Sequence, residues 1–474
     1  MILELRKLNG VMINNMIKIK VSNICTVSEC PSNILKVAKK TLTIPNPAYE
    51  KIKRITGNSY AAERSFKYYK MVGYNCISFP RGFCNRFCAY LDKQCISYEL
   101  VEDFVSEKTN DLFNKDQVKL RDYQEKIIAD VVKNNIGVIH SSTGSGKTTM
   151  ACYLAKKLAL KTTILVPNTV IQDQFVSEFK QWFNYDVGII NGKKKEIKDI
   201  TVSTFQSLSS NPELLQELVD NTGMLIVDEC HTAVSNERAK ILNRFKAIRM
   251  YGMSGTPKRS KDDGKTESIF FYFGKTIATY EATLIKPTIE LINSRVNIPV
   301  VVNYADMVKS MVNNESRNKL IAGLALGEAM SGHSVLILTK RVEHCKLIKE
   351  ALPDWGDLIY HATGEDKNRN QILDEMRNSK REFKIIIGTV SLLATGTNIP
   401  CLDTLIIAGD LKSDVMVGQA AGRILRLFEG KERALIYDIV DFYNPIFKRQ
   451  FYERRKLYNS QGWKITNDLV RKMW

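Results

Sequence analysis

Gly137-Val138-Ile139-His140-Ser141-Ser142-Thr143-Gly144-Ser145-Gly146-Lys147-Thr148-Thr149 is the stretch that decides the fold. A short apolar run leads into a loop of small residues, and a helix-forming segment follows, so the context is strand, loop, helix. In that context the loop reads as a P-loop. Gly144 and Gly146 let the backbone curl so that its N–H groups face phosphate oxygens, and the following helix aims its positive end at the same point. Lys147 is expected to reach the terminal phosphates of a nucleoside triphosphate, and Thr148 to bind Mg²⁺. Ser142, Thr143, Ser145 and Thr149 complete the expected ATP contacts. A strict P-loop begins with Gly; here Ser141 takes that position, small enough for a tight turn.

Eighty residues on, Met224-Leu225-Ile226-Val227 runs into Asp228-Glu229-Cys230-His231. The apolar run places an acidic pair at the C-terminal end of a strand, where ligands sit in open α/β sheets. Asp228 is expected to hold Mg²⁺ and Glu229 to polarise the attacking water as general base.

The texture of both motifs recurs along the chain. GVIHSS, TTILVP, DITVST and GMLIVDE are followed later by SVLILT, KIIIGT, LDTLIIAG and ALIYDIV, each separated by helix-length stretches. Such runs signal buried parallel strands. The pattern predicts an α/β protein with one such domain over 116–285 and a second over 286–445. Residues 1–115 read as a small α+β domain, with a strand in MIKIKVS (16–22), a helix start at NPAYEKIKRI and a turn into an amphipathic helix in SFPRGFCNRFCAYLDK (78–93). Residues 446–474 read as a basic helical tail.

Order and motif spelling carry a resemblance. The P-loop, DECH (228–231), SGTP (254–257) and QAAGRILR (419–426) together resemble a superfamily 2 DExH-box helicase motor. Leu120-Arg121-Asp122-Tyr123-Gln124 resembles the family's Q motif, which implies an adenine contact by Gln124 and ATP binding by Arg121 and Gln419. Val166-Pro167-Asn168 and Val202-Ser203-Thr204-Phe205-Gln206 resemble the next two motifs, Leu336-Ile337-Leu338-Thr339 motif IV, and Gly388-Thr389-Val390 through Thr395-Gly396-Thr397-Asn398-Ile399-Pro400 motif V. Motif V departs from the family's common Glu-Gly-x-Asp at Thr395 and Asn398. The resemblance implies two tandem RecA-like P-loop domains with ATP and Mg²⁺ as cofactors. It also implies nucleic-acid contacts at Pro167, Asn168, Thr204, Gln206, Lys340 and Thr389, and coupling of the two sites through His231, Ser254 and Thr256. Arg423 and Arg426 lie three apart on an expected helix and face one side. They are expected to stabilise γ-phosphate charge as arginine fingers.

Composition is consistent with such a partner. The 474 residues include 69 Lys+Arg against 51 Asp+Glu, a net charge of +18, which favours polyanions. With 44% hydrophobic and 25% charged residues the chain is globular rather than fibrous or disordered. It has no run of 18 apolar residues to span a membrane and no secretory leader in MILELRKLNG. A soluble, cytoplasmic monomer is expected, in a host cytoplasm if the chain is phage-encoded.

The positive excess concentrates near both ends. Residues 51–93 hold nine basic and two acidic residues, and 448–474 eight and two. Arg64, Lys67, Lys70 and Arg81 are interleaved with Phe66, Tyr68, Tyr69 and Phe79, which reads either as a DNA-binding face with a stacking aromatic or as a helix with buried rings and solvated charges. Six of the ten cysteines fall before residue 96 without a CxxC spacing, so buried free thiols are expected rather than zinc. The DExH form, SGTP and QxxGRxxR are closer to XPB-like, RecG-like and phage UvsW-like helicases than to DEAD-box RNA helicases. The expectation is therefore an ATP-dependent DNA helicase on forked and junction DNA. RNA helicase, duplex translocase and a non-hydrolysing nucleic-acid binder are the alternatives.

Overall fold

In IKIKV every second side chain is apolar, and in the structure those side chains line one face: Ile17, Ile19 and Val21 are buried while Lys18 and Lys20 point to solvent. The structure is a computed structural model describing residues 16–58, 60, 62–109, 118–142, 145–255, 266–280, 286–354, 359–362, 385–390, 401–411, 417–418, 420–421, 424, 431 and 433–467.

The N-terminal module comprises β1 (Ile17–Val21), β2 (Ile24–Ser28), α1 (Ser32–Thr41), β3 (Thr43–Pro45), α2 (Tyr49–Thr56), β4 (Ser65–Lys67), β5 (Lys70–Gly73), β6 (Cys76–Pro80), α3 (Cys84–Lys93) and β7 (Tyr98–Glu102). Five strands form a mixed sheet in the order β5-β6-β2-β1-β7, and β3 pairs with β4. Residues 64–73, read from sequence as a possible helix, are instead two short strands. Ile34, Leu35 and Ala38 of α1 and Phe87 and Leu91 of α3 bury helical faces against the sheet core, with Phe79 and Phe83 in an edge-on ring pair 5.2 Å apart.

This module is joined tightly to the α/β domain that follows it. Phe83 and Tyr68 pack on Phe271, with ring centroids 5.6 and 5.4 Å apart. Val105 bridges to Ala247, and Lys161 N–H donates to Glu107 O at 2.8 Å, so the connecting segment crosses the N-terminal ends of the next sheet's strands. Arg81 was expected on the DNA-binding face. It is instead buried, 5% exposed, and its guanidinium donates to the carbonyls of Ala247 and, at 2.8 Å, Ile248. Burial lowers its pKa to about 10, still far above neutral. Gly82 beside it has no side chain because a Cβ there would lie 2.3 Å from Gly274 N.

The first α/β domain contains α4 (Asp122–Val132), β8 (Ile136–Ser141), α5 (Lys147–Leu158), β9 (Thr162–Val166), α6 (Thr169–Phe183), β10 (Gly188–Ile190), β11 (Ile200–Thr204), α7 (Phe205–Ser209), α8 (Pro212–Asn221), β12 (Met224–Asp228), α9 (Asn236–Leu242), β13 (Arg249–Ser254), α10 (Thr266–Phe273) and β14 (Thr276–Tyr280). Its seven strands run parallel in the order β10-β11-β9-β12-β13-β8-β14. Helices cover both faces, which is why strands such as β9 and β12 are buried at every residue. The N-terminal module and this domain together form one compact unit, Met1–Ser142 with Lys147–Tyr280.

The second unit consists chiefly of Glu281–Trp474. It contains β15 (Thr288–Asn293), α11 (Tyr304–Val312), α12 (Glu315–Met330), β16 (Ser334–Thr339), α13 (Val342–Glu350), β17 (Ile359–Ala362), β18 (Ile385–Thr389), β19 (Leu402–Ile407), β20 (Leu435–Val440), α14 (Pro445–Ser460) and β21 (Lys464–Ile465). Seven parallel strands lie in the order β17-β18-β16-β19-β20-β15-β21. The architecture is two tandem RecA-like domains.

The C-terminal helix packs on the second domain: Phe451 and Tyr458 of α14 enter its core, and β21 extends the sheet beside β15. Arg454, one of the basic residues of this segment, is buried against Asp438, its Nη2 2.7 Å from Oδ1 and its Nε 3.0 Å from Oδ2. Arg317 makes a similar buried fork on Asp441, at 2.9 and 3.1 Å.

Candidate active site

Strand order assembles the site in the first α/β domain. β13 lies between β8 and β12, so the loop after β8, the end of β13 and the end of β12 stand side by side at the C-terminal edge of one sheet. The first carries the P-loop, the second Ser254, the third Asp228-Glu229. Gly146 turns the loop with φ +77°, a conformation open to glycine without a Cβ clash. Lys147 opens α5, and its ammonium donates back to Ser141 O at 3.2 Å. Ser145 and Thr148 are buried.

The acidic pair is adjacent in sequence and opposite in chemistry. Asp228 is buried, and among the described residues its Oδ1 has no hydrogen-bond partner. Burial, reinforced by the neighbouring Glu229 charge, pushes its pKa up to about 7. Glu229 has φ +46°, a left-handed backbone that costs a non-glycine residue energy and recurs at functional sites. Burial alone would raise its pKa. The hydrogen bond from His231 and the positive charge of Lys147 outweigh burial and hold it below the ordinary glutamate value. His231 Nδ1 sits 3.2 Å from Glu229 Oε2 and 2.9 Å from Ser254 Oγ, and Ser254 Oγ donates to the same Glu229 oxygen at 3.4 Å. A P-loop lysine beside an acidic pair at a strand end is an arrangement suited to phosphoryl transfer to water.

Two family models match the chain: "Type III restriction enzyme, res subunit" over residues 117–259, and "Helicase conserved C-terminal domain" over 315–428. The probable helicase D10 of Escherichia phage T5 is 28% identical over 382 residues, covering 79% of this chain and 82% of that protein. The putative ATP-dependent RNA helicase L396 of Acanthamoeba polyphaga mimivirus is 29% identical over 378 residues, covering 73% and 69%. The ATP-dependent DNA helicase uvsW of Enterobacteria phage T4 is 22% identical over 422 residues, covering 81% and 82%. The chain is an ATP-dependent helicase of superfamily 2.

The helicase's remaining expected site residues fall into three groups. Some lie around the nucleotide loop. Arg121 precedes α4, and Gln124 folds back to accept from the Arg121 N–H at 2.9 Å, capping the helix. Ser142 Oγ donates to Tyr280 O at 3.2 Å. Tyr280 stacks on Tyr123, centroids 3.7 Å apart and planes within 6°. Tyr280 went unnoticed in the sequence because nothing marks a tyrosine that meets its partner 157 positions away.

A second group lies at the C-terminal ends of strands. Asn168 follows β9 and Pro167, and its side chain accepts from Val170 N and Ile171 N as the N-cap of α6. Thr204 ends β11 and caps α7 by accepting from Ser207 N at 3.2 Å, while Gln206 is exposed beside it. These side chains set the helix starts by taking up backbone N–H groups of the first turn. In the second unit Thr389 ends β18, and Lys340 follows β16 with its ammonium 3.6 Å from Asp410. Arg64, Lys67 and Lys70 are exposed on the N-terminal module; of the four basic residues expected there, only Arg81 is withdrawn.

A third group, Thr143, Gly144, Thr256, Gln419, Arg423 and Arg426, lies outside the described residues. The residues present fit a divalent cation beside the triphosphate. Asp228 offers a buried carboxylate oxygen without a partner among the described residues, and the Thr148 hydroxyl lies in the first turn of α5. Hard oxygen donors of that kind suit Mg²⁺.

Proposed function

We propose that this helicase separates or branch-migrates strands of forked and junction DNA, with Glu229 as the general base of ATP hydrolysis. Lys147 and the P-loop N–H groups bind the β- and γ-phosphates. Thr148 and Asp228 hold Mg²⁺, which neutralises phosphate charge when bound. His231 and Ser254 fix the Glu229 carboxylate in its strained position and report its state to the end of β13. For Gln124 at the adenine, for Arg121 on the same nucleotide, and for Arg423 and Arg426 at the γ-phosphate, the support is the sequence resemblance.

One observation supports a motor that works at a branch. The basic N-terminal module is held against the ATP-binding domain by buried contacts of Arg81, Gly82 and Phe83. A duplex or junction gripped at Arg64, Lys67 and Lys70 is then held in fixed relation to the nucleotide site, as a motor working at a branch requires. The T4 relative named as a DNA helicase matches over most of both lengths, which supports the DNA reading.

The test is ATPase stimulation and strand separation compared on single-stranded DNA, duplex, fork, Holliday junction and RNA. The proposal expects fork and junction DNA to stimulate most and to be unwound. Stimulation by RNA alone would replace it with an RNA helicase. Triplex displacement without fork unwinding would replace it with a duplex translocase.

A further inference from the structure

Four side chains close a ring between α5 and α6. Gln174 Nε2 donates to Thr148 Oγ1 at 2.9 Å and to Glu178 Oε1 at 3.2 Å, and Thr149 Oγ1 donates to Glu178 Oε2 at 2.7 Å. Gln174 and Glu178 are four apart, so they share one face of α6, which meets the first turn of α5. Both N–H bonds of the Gln174 amide are used, and both Glu178 oxygens accept.

The ring has a direction. Burial raises the Glu178 pKa, while the bonds from Thr149 and Gln174 to its two oxygens favour the ionised form, which only accepts and so obliges Gln174 to present its NH₂ end rather than its oxygen. That same NH₂ group meets Thr148. A threonine hydroxyl has two lone pairs and one proton, free to rotate until one is engaged. With one lone pair taken by Gln174, the other is confined to two tetrahedral positions, which it shares with the proton. The ring thus orients the hydroxyl proposed as a Mg²⁺ ligand, from a helix that contributes nothing else to the P-loop motif.

We infer that Gln174 is a positioning residue for the ATP site, and that Glu178 orients it, so that the Thr148 hydroxyl is presented correctly to the metal of Mg²⁺–ATP. The inference rests on Thr148 and Asp228 being the metal-holding residues, as proposed for the helicase reaction. Partners of this kind, which touch a ligand rather than the metal, typically change metal affinity or activity by about 10–100-fold when removed.

The test uses the full chain and a fluorescent ATP analogue, titrated without divalent cation and then with Mg²⁺, alongside thermal melting. Gln174→Met keeps length and volume and removes the donor. The analogue should bind this variant with wild-type affinity in the absence of Mg²⁺, whereas the Mg²⁺ midpoint rises about tenfold or more. Glu178→Ala should move the midpoint in the same direction, and the double variant should be no worse than the worse single one, because the residues act in series. Equal weakening with and without Mg²⁺, or an unchanged midpoint, would overturn the inference. If Gln174→Met melts too early to titrate, the Glu178→Ala midpoint decides. Asp228→Ala separates the two levels: if it leaves the Mg²⁺ response intact, the metal-site reading itself fails. If it abolishes the response while Gln174→Met does not alter it, only the positioning role fails.

Discussion

The imidazole of His231 lies 3.2 Å from the carboxylate of Glu229, the left-handed residue that directly follows β12. Burial works against the charged form of Glu229, and His231 and Lys147 more than reverse it. A general base is active when deprotonated, so a lowered pKa keeps Glu229 competent further into the acid range. Replacing His231 by Ala removes that support and raises the Glu229 pKa. The acid limb of the kcat–pH profile should move to higher pH, with most of the rate kept on the alkaline side. An unmoved acid limb would separate His231 from Glu229 function.

Asp228 titrates in the other direction. Its pKa is raised to about 7, chiefly by burial and then by the neighbouring Glu229 charge, so it holds its proton to higher pH than an ordinary aspartate. In metal-free protein that proton contributes stability, which is present below the ordinary aspartate value and is lost as pH rises through about 7. A cation on the same oxygen must displace the proton. The apparent Mg²⁺ affinity in the presence of ATP should therefore rise by about tenfold per pH unit below 7 and level off above it. Asp228→Asn should flatten the dependence, as read by Mg²⁺ titrations at about pH 6, 7 and 8.

Arg81 and its exposed neighbours should behave differently on DNA. Arg81→Met strands the carbonyls of Ala247 and Ile248 and should lower stability by about 1–3 kcal/mol. It should leave the slope of log affinity against log salt unchanged. Replacing Arg64, Lys67 or Lys70 by Ala should reduce that slope by about 0.9 for each phosphate no longer neutralised. Fork-binding titrations across a salt series, with thermal melts, distinguish the cases.

In the second domain, Arg454→Ala leaves Asp438 as a buried charge without its cationic partner. A loss of about 3–5 kcal/mol is expected, seen as a large fall in Tm. Because Tyr458 also donates to Asp438 at 2.8 Å, Tyr458→Phe should act in the same direction and non-additively with Arg454→Ala.

Much of this was legible in the sequence, for local reasons. The P-loop and DECH are readable because each places its chemistry directly after an apolar strand, and a strand end in a parallel sheet faces the ligand. The alternation of apolar runs and helix-length stretches likewise announced both sheets. What stayed hidden depends on neighbours distant in sequence. Gln174 reaches Thr148 only because α6 packs on α5, and its own neighbourhood, Ile171-Gln172-Asp173-Gln174, shows only an amphipathic helix. Arg81 and Arg454 look like surface cations by composition. Their burial follows from carbonyls at 247 and 248 and a carboxylate at 438 whose positions the fold decides. The strands at 65–67 and 70–73 are too short for their alternation to be told from a helical pattern.

The central claim is that hydrolysis at Glu229 drives strand separation. The direct measurement is ATP turnover and fork unwinding by Glu229→Gln, alongside ATP and fork binding by the same protein. Binding of both ligands at wild-type strength, with turnover reduced by about 10²–10⁴-fold and unwinding lost in parallel, is the predicted result. Unwinding at the wild-type rate by a protein that no longer turns over ATP would contradict it.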